Sequence, residues 1–285
     1  MAAALLKAGH AVDGYALASI PGGYGPTYQG DVTDYSRFRQ VLTRSNPDLI
    51  IHLAARVVVA HAQAGPAEAL GTNIMGTVNV LDACQAGGIP CIVASTDKAY
   101  GDGLNMSEGT PLRPRYIYDT SKACADLMAQ AYARTYGMSV AITRSCNAYG
   151  PGDGYAPRLI PNIIKAILTG TQPTLYAESM HVCREYIHVT DLAAAYALLA
   201  DRLLKGDGGC YNVGTGETAT PLDIVRWVSD YVGGKERTPK VLARGYAELG
   251  NQSLDSNSIR ALGWLPKYDL GRGLKELVEW YRTQT

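Results

Sequence analysis

Short apolar segments alternate with longer amphipathic segments along the first half of this sequence. Four short runs are apolar and partly β-branched, as expected of strands buried on both faces, and they span residues 11–15, 49–53, 90–95 and 139–144. Three longer stretches between them have helical character and span residues 35–44, 67–86 and 118–136. This alternation predicts an α/β fold with a Rossmann-like, doubly wound parallel sheet covered by helices on both faces.

The character of the chain changes after Gly150, where proline- and glycine-rich joints introduce a second set of helices ending in GLKELVEWYR. We therefore expect a first domain, containing the sheet, over residues 1–150 plus about 182–213. A smaller C-terminal α/β lobe, formed by residues 151–181 and 214–285, is expected to bind the substrate.

The N-terminus departs from the usual start of such a sheet. Leu5 and Leu6 lie on one apolar face of a predicted first helix, and Gly9 stands where that helix would end. A doubly wound sheet normally opens with a strand and a glycine-rich turn before this helix, and both are missing here. Because that strand is central in the usual order, its loss would leave two neighbouring strands with unpaired edges. We interpret the sequence as a fragment, or one with a misassigned start, rather than a naturally shortened fold.

Composition and charge argue against several classes of protein. Lys+Arg and Asp+Glu both number 26, so the net charge is zero, whereas nucleic acid or a membrane surface requires a basic face. No apolar run approaches the roughly 20 residues that span a bilayer, and the N-terminus lacks signal-peptide features. The six cysteines are scattered, mostly in apolar contexts typical of reduced thiols in the cytoplasm. His181 and Cys183 lie close together without a second ligand cluster, so no metal site is predicted.

Tyr118 and Lys122 form the strongest chemical signal. They are four residues apart in a predicted helix, which places the phenol and the ammonium on one face with Cβ atoms about 5–6 Å apart. A free tyrosine has a pKa near 10 and is a poor base at neutral pH, whereas each close positive charge can lower that pKa by about 1–3 units. The pair could therefore supply a base, although unrelated surface residues often share this spacing.

A second polar cluster follows the predicted strand 90–95. Thr96, Asp97 and Lys98 place a hydroxyl, an acid and an amine at the carboxyl end of this strand, where ligands bind in open α/β sheets. Together with Tyr118 they form a candidate catalytic cluster. A turn that merely ends the strand would explain the charges but not their combination with Tyr118 and Lys122.

Nine short motifs in collinear order resemble the extended short-chain dehydrogenase/reductase family, specifically its nucleotide-sugar epimerases and dehydratases. They are GDVTD at 30–34, HLAA at 52–55, NIMGTVNVLDAC at 73–84, STDKAYG at 95–101, YDTSK at 118–122, RSCNAYGPGD at 144–153, REYIHVTD at 184–191, NVGTG at 212–216 and LGWLP at 262–266. Any one of them is weakly specific, but together they cover nearly the whole chain. The resemblance implies an NAD-dependent enzyme that acts on a nucleotide sugar.

The resemblance implies an NAD site built from eight residues. They are Asp31 and Val32 at the adenine, Leu53, Ala54 and Ala55 at the pyrophosphate and ribose, Asn73 behind the nicotinamide, and the catalytic Tyr118 and Lys122. NAD enzymes commonly place an aspartate at the end of the second strand, whereas Ala16 stands there in this sequence. Because no Lys or Arg between positions 8 and 36 could meet a 2′-phosphate, NAD is still preferred to NADP, with weakened binding.

The resemblance also implies contacts with the substrate. Thr96 would bind the sugar 4-hydroxyl beside Tyr118, and Asn147 and Arg184 would grip the diphosphate, for which a bidentate guanidinium is well suited. The alternatives are a turn role for Asn147 and a surface ion pair between Arg184 and Glu185.

Asp97 and Lys98 favour a 4,6-dehydratase over a 4-epimerase. By the resemblance, dehydratases have an acid and a second ionisable group after the catalytic hydroxyl, whereas simple epimerases have small or neutral residues there. Loss of water from C6 needs an acid for the departing hydroxyl, assigned to Asp97, and a base for the C5 proton, assigned to Lys98. Many relatives have Glu at this second position. An ammonium must first be neutralised to accept a proton, so Lys98 could instead stabilise the enolate.

Three further expectations complete this interpretation. The segments STDKAYGD, YDTSKACADLMAQAYARTYG and ELGNQSLDSNSIRALGWLPKYDL are most similar to CDP-glucose 4,6-dehydratases, which implies a CDP-glucose-like substrate and leaves other nucleotide-linked hexoses open. Apolar faces on helices 67–86 and 118–136 resemble the four-helix dimer contact of relatives, which implies a homodimer unless both faces pack internally.

Because the phosphate loop is missing, we expect weak NAD binding and leave inactivity of this chain open. A 4-epimerase and a truncated, non-catalytic nucleotide-sugar-binding paralogue are the alternative functions.

Overall fold

The structure is a computed structural model that describes residues 1–18, 24–233, 237–243 and 248–284. In chain order its helices are α1 (Ala2–Lys7), α2 (Tyr35–Ser45), α3 (Val59–Ala64), α4 (Pro66–Leu70), α5 (Gly76–Gly87), α6 (Ile117–Tyr136), α7 (Leu159–Leu168), α8 (Val189–Leu203), α9 (Pro221–Val232), α10 (Asn257–Ala261) and α11 (Leu270–Gln284). The strands are β1 (Gly14–Ala16), β2 (Thr27–Gln29), β3 (Ile50–His52), β4 (Cys91–Thr96), β5 (Gly103–Met106), β6 (Val140–Ser145), β7 (Asn147–Tyr149), β8 (Thr174–Tyr176), β9 (Arg184–His188), β10 (Gly209–Val213), β11 (Thr218–Ala219), β12 (Lys240–Leu242) and β13 (Gln252–Leu254).

Two compact units share these elements. Unit 1 comprises Met1–Gly101, Thr110–Ser145 and Ala193–Asn212, and unit 2 comprises Asp102–Gly109, Cys146–Leu192 and Val213–Thr285. The predicted first domain included residues 102–109, 146–150, 182–192 and 213, which the structure places in unit 2, the first of these because β5 pairs with β13. The reason is strand pairing, because β7 and β9 pair with each other rather than with the sheet of unit 1.

A four-stranded sheet with the order β10-β6-β4-β3 forms the centre of unit 1. Strands β3, β4 and β6 run parallel, with Ile51 opposite Ile92 and Ile92 opposite Ala141. These central positions are largely apolar because helices cover both faces of such a sheet. The α/β, Rossmann-like fold predicted from the sequence is confirmed. The parallel arrangement also brings the carboxyl ends of β3 and β4 to one edge, where ligands bind in this class of fold.

Strands β1 and β2 form a separate two-stranded parallel sheet, in which Tyr15 lies opposite Tyr28. The predicted strand 11–15 begins only at Gly14, and β2 was not predicted at all. Among the described residues β1 pairs only with β2, and β3 pairs only with β4, so each has one edge without a strand partner. The sequence argument expected two such edges, since the usual strand order places another strand between them.

Helix α6 carries two of the five predicted catalytic residues, Tyr118 and Lys122, and is fixed at both ends. A capping box at its start joins Tyr116 and Asp119, which satisfies backbone N–H groups of the first turn. Its last turn ends at Gly137, whose left-handed φ of 63° favours glycine. Between these ends its apolar face packs on the core of unit 1 with Leu81 and Ile142, so the helix cannot slide along its axis without opening that core.

The predicted helical stretch over residues 67–86 is helical throughout, but it is not a uniform α-helix. The structure divides it into α4, a single π-turn at Gly71–Met75, and α5. A π-turn inserts an extra residue into a helix and is frequent at functional sites. Glycines at both ends of the insertion lower the local helix propensity, and the inserted segment contains Asn73, whose side chain is buried and fully engaged in hydrogen bonds described below.

Unit 2 consists of three small sheets and the helices α7, α9, α10 and α11. The sheets have the orders β11-β9-β7, β12-β8 and β13-β5. Its core lies between α7, α9 and α11, where Ile163, Ile224 and Leu277 are fully buried. Each of these helices has apolar residues at a helical period, and the packed stripes supply most of the burial that stabilises this unit.

Candidate active site

The candidate active site of unit 1 begins where β4 ends. Thr96 is the N-cap of the 3₁₀ helix Asp97–Tyr100 and accepts a hydrogen bond from the backbone N–H of Lys98 at 3.3 Å. Its hydroxyl donates to Asp97 Oδ1 at 2.9 Å, and Lys98 Nζ lies 3.5 Å from the same oxygen. Asp97 is only 1% exposed. The hydroxyl, acid and amine predicted from the sequence therefore form one connected cluster.

Gly101 ends this short helix in a conformation that other residues rarely adopt. Its φ is 79°, and a Cβ added there would lie 2.5 Å from the carbonyl oxygen of Arg113. The backbone N–H of Arg113 donates to the carbonyl of Ala99 at 3.0 Å. The loop that carries Asp97 and Lys98 is therefore closed against the segment before α6, and only glycine allows that approach.

Tyr118 and Lys122 reach the same place from α6. Both side chains are buried, and the phenol of Tyr118 packs against Ala62 and Ala69 of α3 and α4. The phenol lies close enough to the hydroxyl of Thr96 for that group to affect its pKa, so the cluster on α6 adjoins the cluster after β4. The structure thus brings together four of the five residues that the sequence analysis selected as catalytic, and places the fifth, Lys122, buried one turn further along α6.

The electrostatics of the phenol differ from the sequence-based expectation. Burial raises the pKa of Tyr118, the carboxylates of Asp97 and Asp119 raise it further, and the hydroxyl of Thr96 lowers it by less. Burial also lowers the pKa of Lys122 to about 8, against the attraction of Asp126. In the protein without a bound cofactor, burial and the carboxylates of Asp97 and Asp119 therefore determine the phenol pKa, and the positive nicotinamide ring that the sequence-based expectation included would shift it in the opposite direction.

Asn73 ties the loop after β3 to the start of α6. Its Oδ1 accepts from the backbone N–H of Arg56 at 2.6 Å, and its Nδ2 donates to the carbonyl of Arg56 at 3.1 Å and to Ser121 Oγ at 2.8 Å. Ser121 in turn donates to the carbonyl of Tyr118 at 2.7 Å. The sequence analysis placed Asn73 behind the nicotinamide but did not select Ser121, although Ser121 lies inside the motif YDTSK.

Thr77 and His52 form a short hydrogen-bonded chain that ends at the backbone carbonyl of Asn73. The hydroxyl of Thr77 donates to the carbonyl of Asn73 at 2.6 Å and lies 3.0 Å from His52 Nε2. Since the hydroxyl proton is used on that carbonyl, we assign the remaining hydrogen bond to an Nε2–H of His52. Burial, aided by the charge of Lys122, lowers the pKa of His52 to about 3, so the ring is neutral at physiological pH. Neither residue was selected from the sequence.

The other five predicted cofactor residues lie in the loops that follow β2 and β3. Asp31 Oδ1 accepts the backbone N–H of Thr33 at 2.8 Å, and the carbonyl of Val32 accepts from the side chain of Asn79 at 2.9 Å. Leu53, directly after β3, is 45% exposed. Ala54 is exposed and Ala55 half-buried in the same loop.

Asn147 and Arg184 belong to unit 2, where their side chains contact backbone. The amide of Asn147 donates to the carbonyl of Glu185 at 3.0 Å. The guanidinium of Arg184 donates to the carbonyls of Cys183, Leu249 (2.6 Å) and Gly250, and lies 3.5 Å from Glu248 Oε1. The suggested ion pair between Arg184 and Glu185 is wrong. The carboxylate of Glu185 is fully buried and accepts the backbone N–H groups of Gly216 and Leu254 at 2.8 and 2.7 Å.

Comparison with known proteins gives a consistent set of relatives. A profile of the NAD dependent epimerase/dehydratase family matches residues 1–214. A dTDP-glucose 4,6-dehydratase of Mycolicibacterium smegmatis is 32% identical over 265 residues, covering 89% of this chain and 77% of that protein. The solved structure of DesIV, a dTDP-glucose 4,6-dehydratase from Streptomyces venezuelae with NAD bound, is 32% identical, has a TM-score of 0.81, and covers 92% and 81% of the two chains. A Thermus thermophilus UDP-glucose 4-epimerase in complex with NAD is 28% identical, with a TM-score of 0.87 and coverage of 99% and 94%.

Fold and site together define an NAD-dependent enzyme of the extended short-chain dehydrogenase/reductase type. More particularly, the chain belongs to the NAD dependent epimerase/dehydratase family. Among the described residues, no helix combines the length and apolar character needed to cross a bilayer.

The residues at the carboxyl ends of β3 and β4 fit NAD. Leu53 offers exposed apolar surface at this edge of the sheet, where dinucleotides bind in this class of fold. The phenol of Tyr118 lies in the negative field of Asp97 and Asp119, which a positive nicotinamide ring would offset. Bound there, NAD supplies a hydride acceptor and, after reduction, a hydride donor.

Proposed function

We propose that the protein is a nucleotide-sugar 4,6-dehydratase, which converts a nucleotide-linked glucose into its 4-keto-6-deoxy derivative. The observation that carries this proposal is the contact between Thr96, Asp97 and Lys98 beside the phenol of Tyr118. A 4-epimerase needs the hydroxyl and the phenol, but it has no use for a buried carboxylate with an ammonium 3.5 Å away. Water loss requires such a pair.

In this proposal Tyr118 and Thr96 act in the first step, oxidation at C4 of the sugar. Tyr118 accepts the proton of the sugar 4-hydroxyl as C4 is oxidised, and the hydroxyl of Thr96 orients the same sugar oxygen. Because burial raises the pKa of Tyr118, the phenolate needs positive charge nearby. Lys122, buried on the same face of α6, supplies the protein's share of that charge when protonated.

The second step, loss of water, is assigned to Asp97 and Lys98. The 4-ketone acidifies the C5 proton, which Lys98 removes in its neutral form, or whose removal it assists by stabilising the enolate charge. The bond between C6 and its oxygen breaks, and Asp97 gives a proton to the departing hydroxyl so that it leaves as water. Asp97 must carry a proton at this step, and its carboxyl group is buried beside the hydroxyl of Thr96.

The diphosphate contacts of Asn147 and Arg184 remain part of the proposal. The two Nη atoms of Arg184 donate to separate carbonyls, of Gly250 and Leu249, and a guanidinium can present both donors to a single phosphate. We propose that substrate binding exchanges some of these backbone contacts for phosphate oxygens. For the base, the sequence segments suggested CDP-glucose, whereas the bacterial relatives are named for dTDP-glucose. We take dTDP-glucose as the first substrate and CDP-glucose as the second.

We also propose a homodimer through α5 and α6. Leu127 and Tyr136 of α6 are 51% and 57% exposed, and Met75 in the π-turn is 53% exposed. A second copy that packs on the side of α6 carrying Leu127 would cover that side chain, whereas Tyr136, nine residues further on, lies on the opposite side of the helix.

Product analysis tests the proposed activity. The purified protein is incubated with NAD and, separately, with dTDP-glucose, CDP-glucose and UDP-glucose, and the sugar is examined by NMR. We expect a C4 ketone and a C6 methyl group from dTDP-glucose or CDP-glucose. Inversion at C4 with an intact C6 hydroxyl would replace this proposal with a 4-epimerase. Binding of the sugar nucleotide without any turnover would favour the non-catalytic alternative.

A further inference from the structure

A buried polar network connects four elements of unit 1 behind the active site. Arg144 of β6 donates from Nε and Nη2 to the two carboxylate oxygens of Asp126 at 2.8 and 2.9 Å. Its Nη1 donates to the hydroxyl of Tyr100 at 2.8 Å, and that hydroxyl donates to Asn212 Oδ1 of β10 at 2.8 Å. The guanidinium also lies over the ring of Tyr100, 4.8 Å from its centre. All four side chains are almost completely buried.

Stability alone does not account for this arrangement. Removing two charges from water is costly, and replacing a buried ion pair with apolar residues of similar volume is often neutral or stabilising. What the pair of Arg144 and Asp126 provides is geometry, since a planar guanidinium bound at three points admits one arrangement of its partners. We therefore look for the role of the Arg144–Asp126 pair in the elements that it connects.

The network connects the two halves of the catalytic cluster. Asp126 lies on α6 at four and eight residues from Lys122 and Tyr118, so the three share one face of the helix. Tyr100 ends the 3₁₀ helix that begins with Asp97 and Lys98. Arg144 is held in the central sheet by β6. One side of its guanidinium binds Asp126 of α6, and the other side binds Tyr100, at the end of the 3₁₀ helix that carries Asp97 and Lys98.

We propose that Arg144 and Tyr100 are positioning residues for the water-loss step, which hold Asp97 and Lys98 in register with the sugar bound at Tyr118. This inference rests on the proposed dehydratase function. Neither residue touches the reacting atoms, and both act through the position of the loop. A displacement of that loop by about 1 Å is sufficient to slow a proton transfer by up to about a hundredfold. Oxidation at C4 depends on α6 and is expected to tolerate the same displacement better.

Tyr100→Phe tests the proposal with a matched control. The change removes one hydroxyl, keeps the ring beneath Arg144, and is compared with Tyr196→Phe. Tyr196 is equally buried, and its hydroxyl lies 2.6 Å from Thr143 Oγ1, one residue before Arg144 on the same strand. We expect Tyr100→Phe to reduce the rate of water loss about tenfold or more, with KM for the sugar nucleotide within about twofold. Reduced nicotinamide should accumulate during turnover, read from its near-ultraviolet absorbance. Tyr196 makes the smallest of the contributions that raise the pKa of the Tyr118 phenol, so Tyr196→Phe should change the rate of water loss by no more than about twofold and cause no accumulation.

A second variant separates positioning from folding. Arg144→Lys keeps the charge but cannot bind Asp126 and Tyr100 together. We expect it to show the same accumulation of reduced nicotinamide as Tyr100→Phe. Equal behaviour of Tyr100→Phe and Tyr196→Phe, or slowing without that accumulation, would overturn the positioning role. A wild-type protein that makes no 4-keto sugar would overturn the proposed function itself, and this result is read before any variant is compared.

Discussion

Replacing Lys122 with methionine should make the protein more stable and nearly inactive. Burial lowers the pKa of this lysine from its usual 10.5 to about 8. Each pKa unit corresponds to about 1.4 kcal/mol, so holding the charged ammonium in the fold at neutral pH costs about 3 kcal/mol. Methionine has a similar length and no charge to desolvate. At about pH 7 we expect Lys122→Met to increase the free energy of unfolding by about 2–3 kcal/mol.

The sign of the pH dependence makes this prediction specific. Between about pH 8 and 10.5 the unfolded chain still binds a proton at Lys122 while the folded protein has lost it. The wild-type stability therefore rises with pH through this window, and the advantage of the variant shrinks to nothing above it. Urea titrations at several pH values, followed by far-ultraviolet circular dichroism, measure the difference.

The control is Lys205→Met at an exposed position after α8. It should change stability by no more than about 0.5 kcal/mol at any pH. Turnover of Lys122→Met should fall by about a hundredfold or more, because the phenol of Tyr118 loses its neighbouring charge. A less stable Lys122→Met protein at neutral pH, or a stability difference that does not depend on pH, would refute the reasoning.

Three further predictions follow from the site and the surface. Asp97→Asn should reduce water loss by about a hundredfold or more while C4 oxidation, followed by nicotinamide absorbance, persists; equal loss of both would contradict the acid role. Asn73→Ala removes three hydrogen bonds and should lower the free energy of unfolding by about 2–3 kcal/mol in urea titration. A change below about 0.5 kcal/mol would show that Asn73 does not hold α6. Leu127→Glu should convert the proposed dimer to a monomer in sedimentation experiments, and a monomeric wild type would contradict that proposal.

The elements that form the site could be predicted because burial leaves a pattern in the sequence. Strands β3, β4 and β6 are short apolar runs in a sheet covered on both faces, and the structure places each close to its predicted span. β2 escaped prediction because Thr27–Gln29 is a half-exposed edge of a small sheet, without an apolar run. The π-turn at Gly71–Met75 was also missed, since one extra residue barely changes the periodicity of a helix.

The electrostatics of the site could not be predicted from spacing alone. The spacing of Tyr118 and Lys122 suggests a phenol with a lowered pKa. The opposite direction follows only when α3 and α4 bury the ring and when Asp97 and Asp119 are seen to face it. The backbone contacts of Arg184 were hidden in the same way, because Leu249 and Gly250 lie more than sixty residues away in sequence.

The fate of the hydrogen at C4 tests the central claim most directly. The protein is given dTDP-glucose or CDP-glucose carrying deuterium at C4, and the product is examined by NMR. If Tyr118, Asp97 and Lys98 act on one sugar, the label leaves C4 and is found in the new methyl group at C6, beside a C4 ketone. Label that remains at C4 in a sugar whose C6 hydroxyl is intact would contradict the account.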